Sequence, residues 1–220
     1  MMIQHNHIDI FLLSDTRLDD RSARYKIKQL RKLCAGFSVL SFPTSRASYS
    51  RRGGCRMNTM AGSMIIISPR CATNIIDSGS DPSGLSVTAY TLVSINSQKL
   101  CFISYYQPIG NDHSGSSTIY ARLQHFLHKN NIADNPLAFA SNVASKWIQK
   151  FRSRGYIPII AGDFNADPTI ASGSKLMQWS VGNSLHNALH ATLSGKYYTH
   201  LVAGVPTSIR SYICRHFAYI

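Results

Sequence analysis

Apolar residues in this chain gather into short runs separated by polar, glycine- and serine-rich stretches. Ile8-Asp9-Ile10-Phe11-Leu12-Leu13 has the length of a strand and ends in the polar group Ser14-Asp15-Thr16-Arg17. The glycine-led run Gly62 to Ser68 predicts a second buried strand. Leu85 to Ser94 and Leu100 to Tyr106 predict two more, divided by the turn Asn96-Ser97-Gln98, and the spacing points to an antiparallel meander. Ile157 to Ala161 reads as a further buried strand, ending in Gly162 and delivering Asp163 and Asn165 at its tip.

Helical periodicity occupies other segments. From Arg21 to Leu33 the residues Ala23, Ile27, Leu30 and Leu33 fall near helical spacing, with Arg24, Lys28, Arg31 and Lys32 on the other sides as a solvated face. Thr118 to Asn130 and Leu137 to Arg154 carry mixed apolar and basic faces and predict two more helices. Ser41 to Met60 is rich in Ser, Arg and Gly and predicts an exposed loop. Beyond the Asp163 strand the pattern weakens to a loop through Gly173, a helix around Leu185 to Leu193, and strand-like pieces at Tyr197 to Val202 and Ser208 to Tyr212. No internal repeat or interdomain linker interrupts it, so residues 1–220 predict one layered α/β or α+β domain.

The composition adds two constraints. At 220 residues and 44% hydrophobic content the chain can build a core without disulfide staples, and no apolar run approaches membrane-spanning length. The five cysteines are odd in number and scattered without zinc-ligand spacing, and no basic region leads into an apolar one at the start. Reduced thiols in the cytosol or nucleus are the simplest reading. The formal charge of +13 implies a field that attracts polyanions, with nucleic acid the first candidate and an anionic membrane surface the other.

The chemistry concentrates at Gly162-Asp163-Phe164-Asn165. If the extended geometry continues through Phe164, the two polar side chains project to one side. An Asp there can orient and deprotonate a water, while a neutral Asn donates to a phosphoryl oxygen without repelling a metal ion. A simple turn after a strand explains the same residue types, so the motif by itself leaves both readings open.

The order of strand-tip motifs narrows this. An apolar strand ends in Asp15-Thr16-Arg17, a glycine-led strand follows, another strand ends in Tyr106-Gln107-Pro108, and a helix precedes Gly162-Asp163-Phe164-Asn165-Ala166-Asp167-Pro168. This order resembles the endonuclease/exonuclease/phosphatase superfamily over roughly residues 8–213, and within it the apurinic-like endonuclease domains of LINE-type retrotransposons. The resemblance implies a DNase I-like, four-layer α/β sandwich, with two sheets flanked by helices and the active site at one rim. It implies hydrolysis of DNA phosphodiesters with Mg²⁺ (Mn²⁺ as a substitute), in a chain that in a parent element accompanies a reverse transcriptase domain. By resemblance Asp163 activates the attacking water, and Asn165 and Tyr106 address the phosphate. Asp15 stands where the family has a metal-binding Glu; it is one methylene shorter, and a misplacement of about 1 Å can cost about 10²-fold in rate. The basic loop Arg46 to Arg56 would bear on the DNA backbone.

Three departures accompany these matches. The chain opens just before the Asp15 strand, so the family's first strand and its active-site Asn fall outside it. Ser211, in Ser208-Ile209-Arg210-Ser211-Tyr212-Ile213, occupies the position of a family Asp. The closing strand with its Ser-Asp-His also has no counterpart, and His216 follows too closely to supply that His. The fold is therefore expected to be incomplete at both termini. Two alternatives stand beside the nuclease: a non-catalytic remnant that binds nucleic acid through charge, and a phosphatase of the same superfamily.

Overall fold

The computed structural model describes residues 9–33, 35–44, 60–110, 118–166, 171–186 and 216–219. Two antiparallel neighbours flank a central strand in the smaller sheet. β1 (Ile10–Ser14) and β2 (Ser38–Phe42) both pair with β3 (Ser63–Ile67), in the order β1-β3-β2. Between β1 and β2 runs helix α1 (Asp20–Leu33), whose first turn is closed by Asp19 accepting the Ser22 amide at 2.7 Å. A one-turn helix α2 (Pro69–Ala72) follows β3 and leads to the larger sheet.

That sheet has the order β4-β5-β6-β7-β8, from β4 (Ile75–Ser80), β5 (Thr88–Ile95), β6 (Gln98–Tyr106), β7 (Ile157–Asp163) and β8 (His216–Tyr219). β5 and β6 form a hairpin through Asn96 and Ser97, both at positive φ (48° and 66°), the backbone of a two-residue primed turn that matches strand twist. β6 and β7 are parallel, and the crossover between them carries α3 (Ile119–Lys129) and α4 (Pro136–Arg152). Each of these helices has a side-chain cap: Thr118 accepts the Ala121 amide, and Asn135 accepts the Ala138 amide. Helix α5 (Ala171–Gly182) lies beyond β7.

Three apolar clusters stack these elements into layers. Ile27 and Leu30 of α1 meet Phe11, Leu13, Val39, Met64 and Ile66 on the outer face of the small sheet. Ile65 and Ile67 on its inner face meet Val93, Ile95 and Phe102 of the large sheet. The far face of the large sheet, with Leu92, Cys101, Ile103, Tyr105 and Ile160, packs under Leu123, Leu127, Phe139, Ala144, Ile148 and Phe151 of α3 and α4. Each fully buried Ile or Leu contributes about 1.5–3 kcal/mol, so the two-sheet contact and the helix layer together hold the fold. The result is the DNase I-like α/β sandwich that the motif order predicts: helix, sheet, sheet, helices.

Several local expectations need correction. The glycine-led strand belongs to the small sheet rather than to a meander with β5 and β6; the third member of that meander is β4. β4 was hidden by its composition, Ile-Ile-Asp-Ser-Gly-Ser, which favours turns. It is an edge strand with a register irregularity between Ile75 and Asp77, and the Tyr90 ring covers Gly79 from the neighbouring strand. Ser41, predicted to open a loop, is inside β2, where pairing to β3 overrides two serines. The predicted loop through Gly173 is helix α5, held by Leu176 and Trp179 packing against the core. Leu185 lies past the end of that helix, and residues 187–193 of the helix predicted around it fall outside the described residues. The basic loop Arg46 to Arg56, the strand-like segments 197–202 and 208–212, Ser211 and Asp167 fall outside the described residues.

Candidate active site

Three strand ends meet at one rim of the sheets. The Ser14 hydroxyl at the end of β1 accepts the Asp163 amide of β7 at 3.3 Å, and the Asp163 carbonyl accepts the Gln107 amide just past β6 at 2.8 Å. One strand earlier, the Ser104 hydroxyl donates to the Leu13 carbonyl at 2.9 Å and ties the two sheets together directly. Close approach is built into the sequence here. A Cβ on Gly162 would lie 1.8 Å from the Tyr105 carbonyl oxygen, and one on Gly62 2.8 Å from the Thr16 hydroxyl oxygen. Only glycine allows β7 to reach Asp163 in register with β6, and lets residue 62 pass under the tip of β1.

Asp163 sits opposite Tyr106 in the parallel pair. Alternation along β6 sends Tyr105 into the helix layer, stacked on Phe164 at 4.8 Å, and puts Tyr106 on the face of Phe102 and Ser104, turned to β1. Phe164 is 1% exposed and leaves the rim altogether. The backbone does not continue extended: Asn165 is at φ 45°, and its amide donates to Asp163 Oδ1 at 3.0 Å. Asp163 and Asn165 still share one side, through an Asp-capped turn instead of through strand alternation. The Asn165 side-chain Nδ2 donates to the Gln107 carbonyl at 2.7 Å, which fixes the amide plane.

At the tip of β1, Asp15 and Arg17 both adopt left-handed backbone (φ 49° and 55°). The Thr16 and Arg17 amides donate to the Gly62 and Ala61 carbonyls. Asp15 Oδ1 accepts the Ala61 amide at 2.8 Å, and Oδ2 accepts Arg17 Nε at 3.0 Å. Asp15 is thus neither a helix cap nor an idle turn residue. It is a held carboxylate beside a guanidinium whose side chain is 67% exposed.

One phenol reports how these groups converge. The Tyr106 hydroxyl is pushed up to about 12, first by burial, then by the negative charges of Asp15 and Asp163, with the Asn165 side-chain hydrogen bond and Arg17 opposing. Of the four residues singled out in the sequence, Asp15, Asp163 and Asn165 therefore each act on the fourth, Tyr106, at the rim. Sequence reasoning assigned nothing to Gln107 and Arg17, although both stood inside the quoted motifs. Gln107 clamps Asn165 and Asp163 through its backbone, and its side chain accepts from Tyr105. His216, set aside on spacing, is paired across from Asp163 in the β7–β8 register.

Asp15 is the rim residue whose chemistry could hold a magnesium ion. Mg²⁺ is typically held by one or two carboxylates, with water and substrate phosphate completing the shell. Asp15 supplies such a carboxylate, since each oxygen carries one protein hydrogen bond and has a second lone pair. Among the described residues no three His, Cys, Asp or Glu side chains gather into a protein-only metal cage.

No protein-family model and no curated protein sequence matches the chain. Solved structures do. The 3′ phosphatase NExo from Neisseria, bound to product DNA hairpin, aligns with a TM-score of 0.61 at 12% identity, over 99% of this chain and 78% of that one. An endonuclease/exonuclease/phosphatase family protein from Leptotrichia buccalis gives 0.54 at 13% identity, over 99% and 77%. The human nocturnin catalytic domain with bound sulfate also gives 0.54 at 13%, over 99% and 70%. At such identities the likeness is one of architecture, and it agrees with the layers and strand tips described above: this chain has the fold of the endonuclease/exonuclease/phosphatase proteins.

Proposed function

We propose that the rim at Asp163 is a phosphodiester-hydrolysing site that acts on DNA, in a domain of retroelement-endonuclease ancestry. The convergence of Asp15, Asp163 and Asn165 on the Tyr106 phenol is the observation that carries this reading. Asp163 is the base: its carboxylate is oriented by the Asn165 amide and remains half-buried at the mouth of the rim, where it can take a proton from water. Asn165, its amide plane set by the Gln107 carbonyl, donates to a phosphoryl oxygen. Tyr106 is protonated at neutral pH because its pKa is near 12, so it also donates to the phosphate. Mg²⁺ held at Asp15 would supply positive charge against the charge that develops on the phosphate. The order of motifs along the chain supports the retroelement ancestry, and the +13 charge supports a polyanionic substrate.

One observation favours a second reading. Arg17 already neutralises Asp15, a contact that competes with a metal ion and suits a rim that grips phosphate without cutting it. Nicking of supercoiled plasmid separates the two readings. The nuclease reading expects conversion to open circles in Mg²⁺ that stops with EDTA and is lost in Asp163→Ala. Salt-sensitive DNA binding with equal background nicking by both proteins leaves only the binding role.

A further inference from the structure

A basic stripe on α1 lies outside the site just described. On a helix of 3.6 residues per turn, Arg21, Arg24, Lys28, Arg31 and Lys32 fall within an arc of about 100°. All five are exposed, and Arg24, Lys28, Arg31 and Lys32 line, with Ile27, an open depression of about 570 Å³. Lys26 and Leu33 point elsewhere, the remaining exposed flank carries Ser22 and Tyr25, and the exposed Asp20 precedes the row in the first turn. Among the described residues none of the five cations forms an ion pair with a carboxylate.

This sorting of charge costs the helix stability. Like charges at i,i+3 and i,i+4, as in Arg21/Arg24, Arg24/Lys28, Lys28/Arg31 and Lys28/Lys32, repel by about 0.2–0.5 kcal/mol per pair. Arg31 and Lys32 are compensated by the negative end of the helix dipole; Arg21 stands at the positive end, with Asp20 beside it, and the row from Lys28 to Lys32 has no acidic neighbour on the helix. Solubility alone does not require five cations in one row with Lys26 left apart. A linear polyanion relieves the repulsion.

The stripe also starts close to the rim along the chain. α1 begins at Asp20, three residues after Arg17, and Arg21 to Lys32 extends about 16 Å along the axis at 1.5 Å per residue. Duplex DNA presents a phosphate charge about every 1.7 Å of its axis, so the row can face several phosphates at once. An anionic membrane fits less well. Interfacial helices bury their apolar face in lipid, and the apolar face of α1, at Ala23, Ile27 and Leu30, already packs on or faces the small sheet.

We infer that the Arg21–Arg24–Lys28–Arg31–Lys32 stripe is a nucleic-acid backbone track that holds duplex DNA extending from the rim. The inference rests on the nuclease reading only for where the reacting phosphate lies. The substrate class is then a polynucleotide with flanking duplex, gripped without sequence choice.

Fluorescence anisotropy of a labelled 20-base-pair duplex, in EDTA so that nothing is cut, tests it across about 50–200 mM KCl. Each lost phosphate contact removes about 0.9 from the slope of log K against log salt, so R24Q/K28Q/R31Q is expected to flatten it by about 2.7. K26Q is expected to leave the slope unchanged, and R24K/K28R/R31K to retain it. If the triple variant loses helical circular dichroism, R24Q and R31Q singly are each expected to flatten the slope by about 0.9. An unchanged slope in folded neutralised variants overturns the track, as does an equal loss in K26Q. Lost binding to phosphatidylserine vesicles with an unchanged DNA slope assigns the stripe to lipid and overturns it too. A flattened slope in a chain that never nicks plasmid rejects the nuclease reading and keeps the track; intact nicking with an unchanged slope does the reverse.

Discussion

Asp81 and Asp163 both accept backbone amides in a turn beside the large sheet, yet only one of them belongs to the rim. Asp81, between β4 and β5, is 3% exposed. Its Oδ1 accepts the Ser83 amide and hydroxyl, and its Oδ2 accepts the Thr88 amide at 3.0 Å. Burial pushes the Asp81 carboxyl up, against those hydrogen bonds. Asp163 accepts the Asn165 amide in the same local manner, but it is half-buried and works against Tyr106 across the β6–β7 pair. A carboxylate enclosed by its own turn organises the backbone and nothing else. A carboxylate that shares a rim with a phenol, an amide and a second carboxylate can do chemistry.

The contrast can be broken most severely at Gly162. A Cβ 1.8 Å from the Tyr105 carbonyl cannot be absorbed by side-chain movement, so Gly162→Ala should separate β7 from β6 and cost more than about 4 kcal/mol. Urea denaturation should find the variant largely unfolded without denaturant; a midpoint close to wild type would mean that the strands are not in this register. Asp81→Ala comes next. It leaves the buried Ser83 and Thr88 amides without their acceptor and should cost about 1–3 kcal/mol per orphaned group. Plasmid nicking per folded molecule should not change, and a parallel loss of activity would tie this turn to the site.

The smallest effect is an alkaline one, and it sharpens the rim side. Tyr106 and Tyr90 are each raised to about 12, chiefly by burial, and burial raises Tyr105 as well. A folded pKa above the unfolded value near 10 stabilises the fold fully below pH 10, and that contribution is lost as pH rises through about 12. Absorbance at 295 nm should show these tyrosines ionising after the exposed ones, with melting temperature falling between about pH 10 and 12. In Tyr106→Phe one late-titrating group should vanish. Its ionisation at about pH 10 would contradict the convergence of charges at the rim.

Much of this was legible from the chain. β1, β3 and β7 are unbroken apolar runs bounded by turn residues, and α3 and α4 carry apolar stripes with capping residues in place. The site residues could be singled out because each stands at the polar end of such a run. What stayed hidden depends on partners distant in sequence. β2 and β4 are serine-rich segments that become strands because β3 and β5 offer edges, and α5 is a helix because Leu176 and Trp179 find the core. The grip on Asp15 needs the Ala61 amide from the segment before β3 and left-handed backbone at residues 15 and 17, neither of which follows from local sequence.

Nicking of supercoiled plasmid in Mg²⁺, scored per folded molecule for wild type, Asp163→Asn and Asp81→Asn, addresses the difference between the two carboxylates most directly. Each variant exchanges one carboxylate oxygen for an amide nitrogen with little change in shape. Asp163→Asn should fall by about 10²–10⁴-fold, the contribution of a general base, while Asp81→Asn should match wild type. If Asp163→Asn nicks at the wild-type rate, or if both variants fall together, the rim at Asp163 is not the place where the phosphodiester is cut.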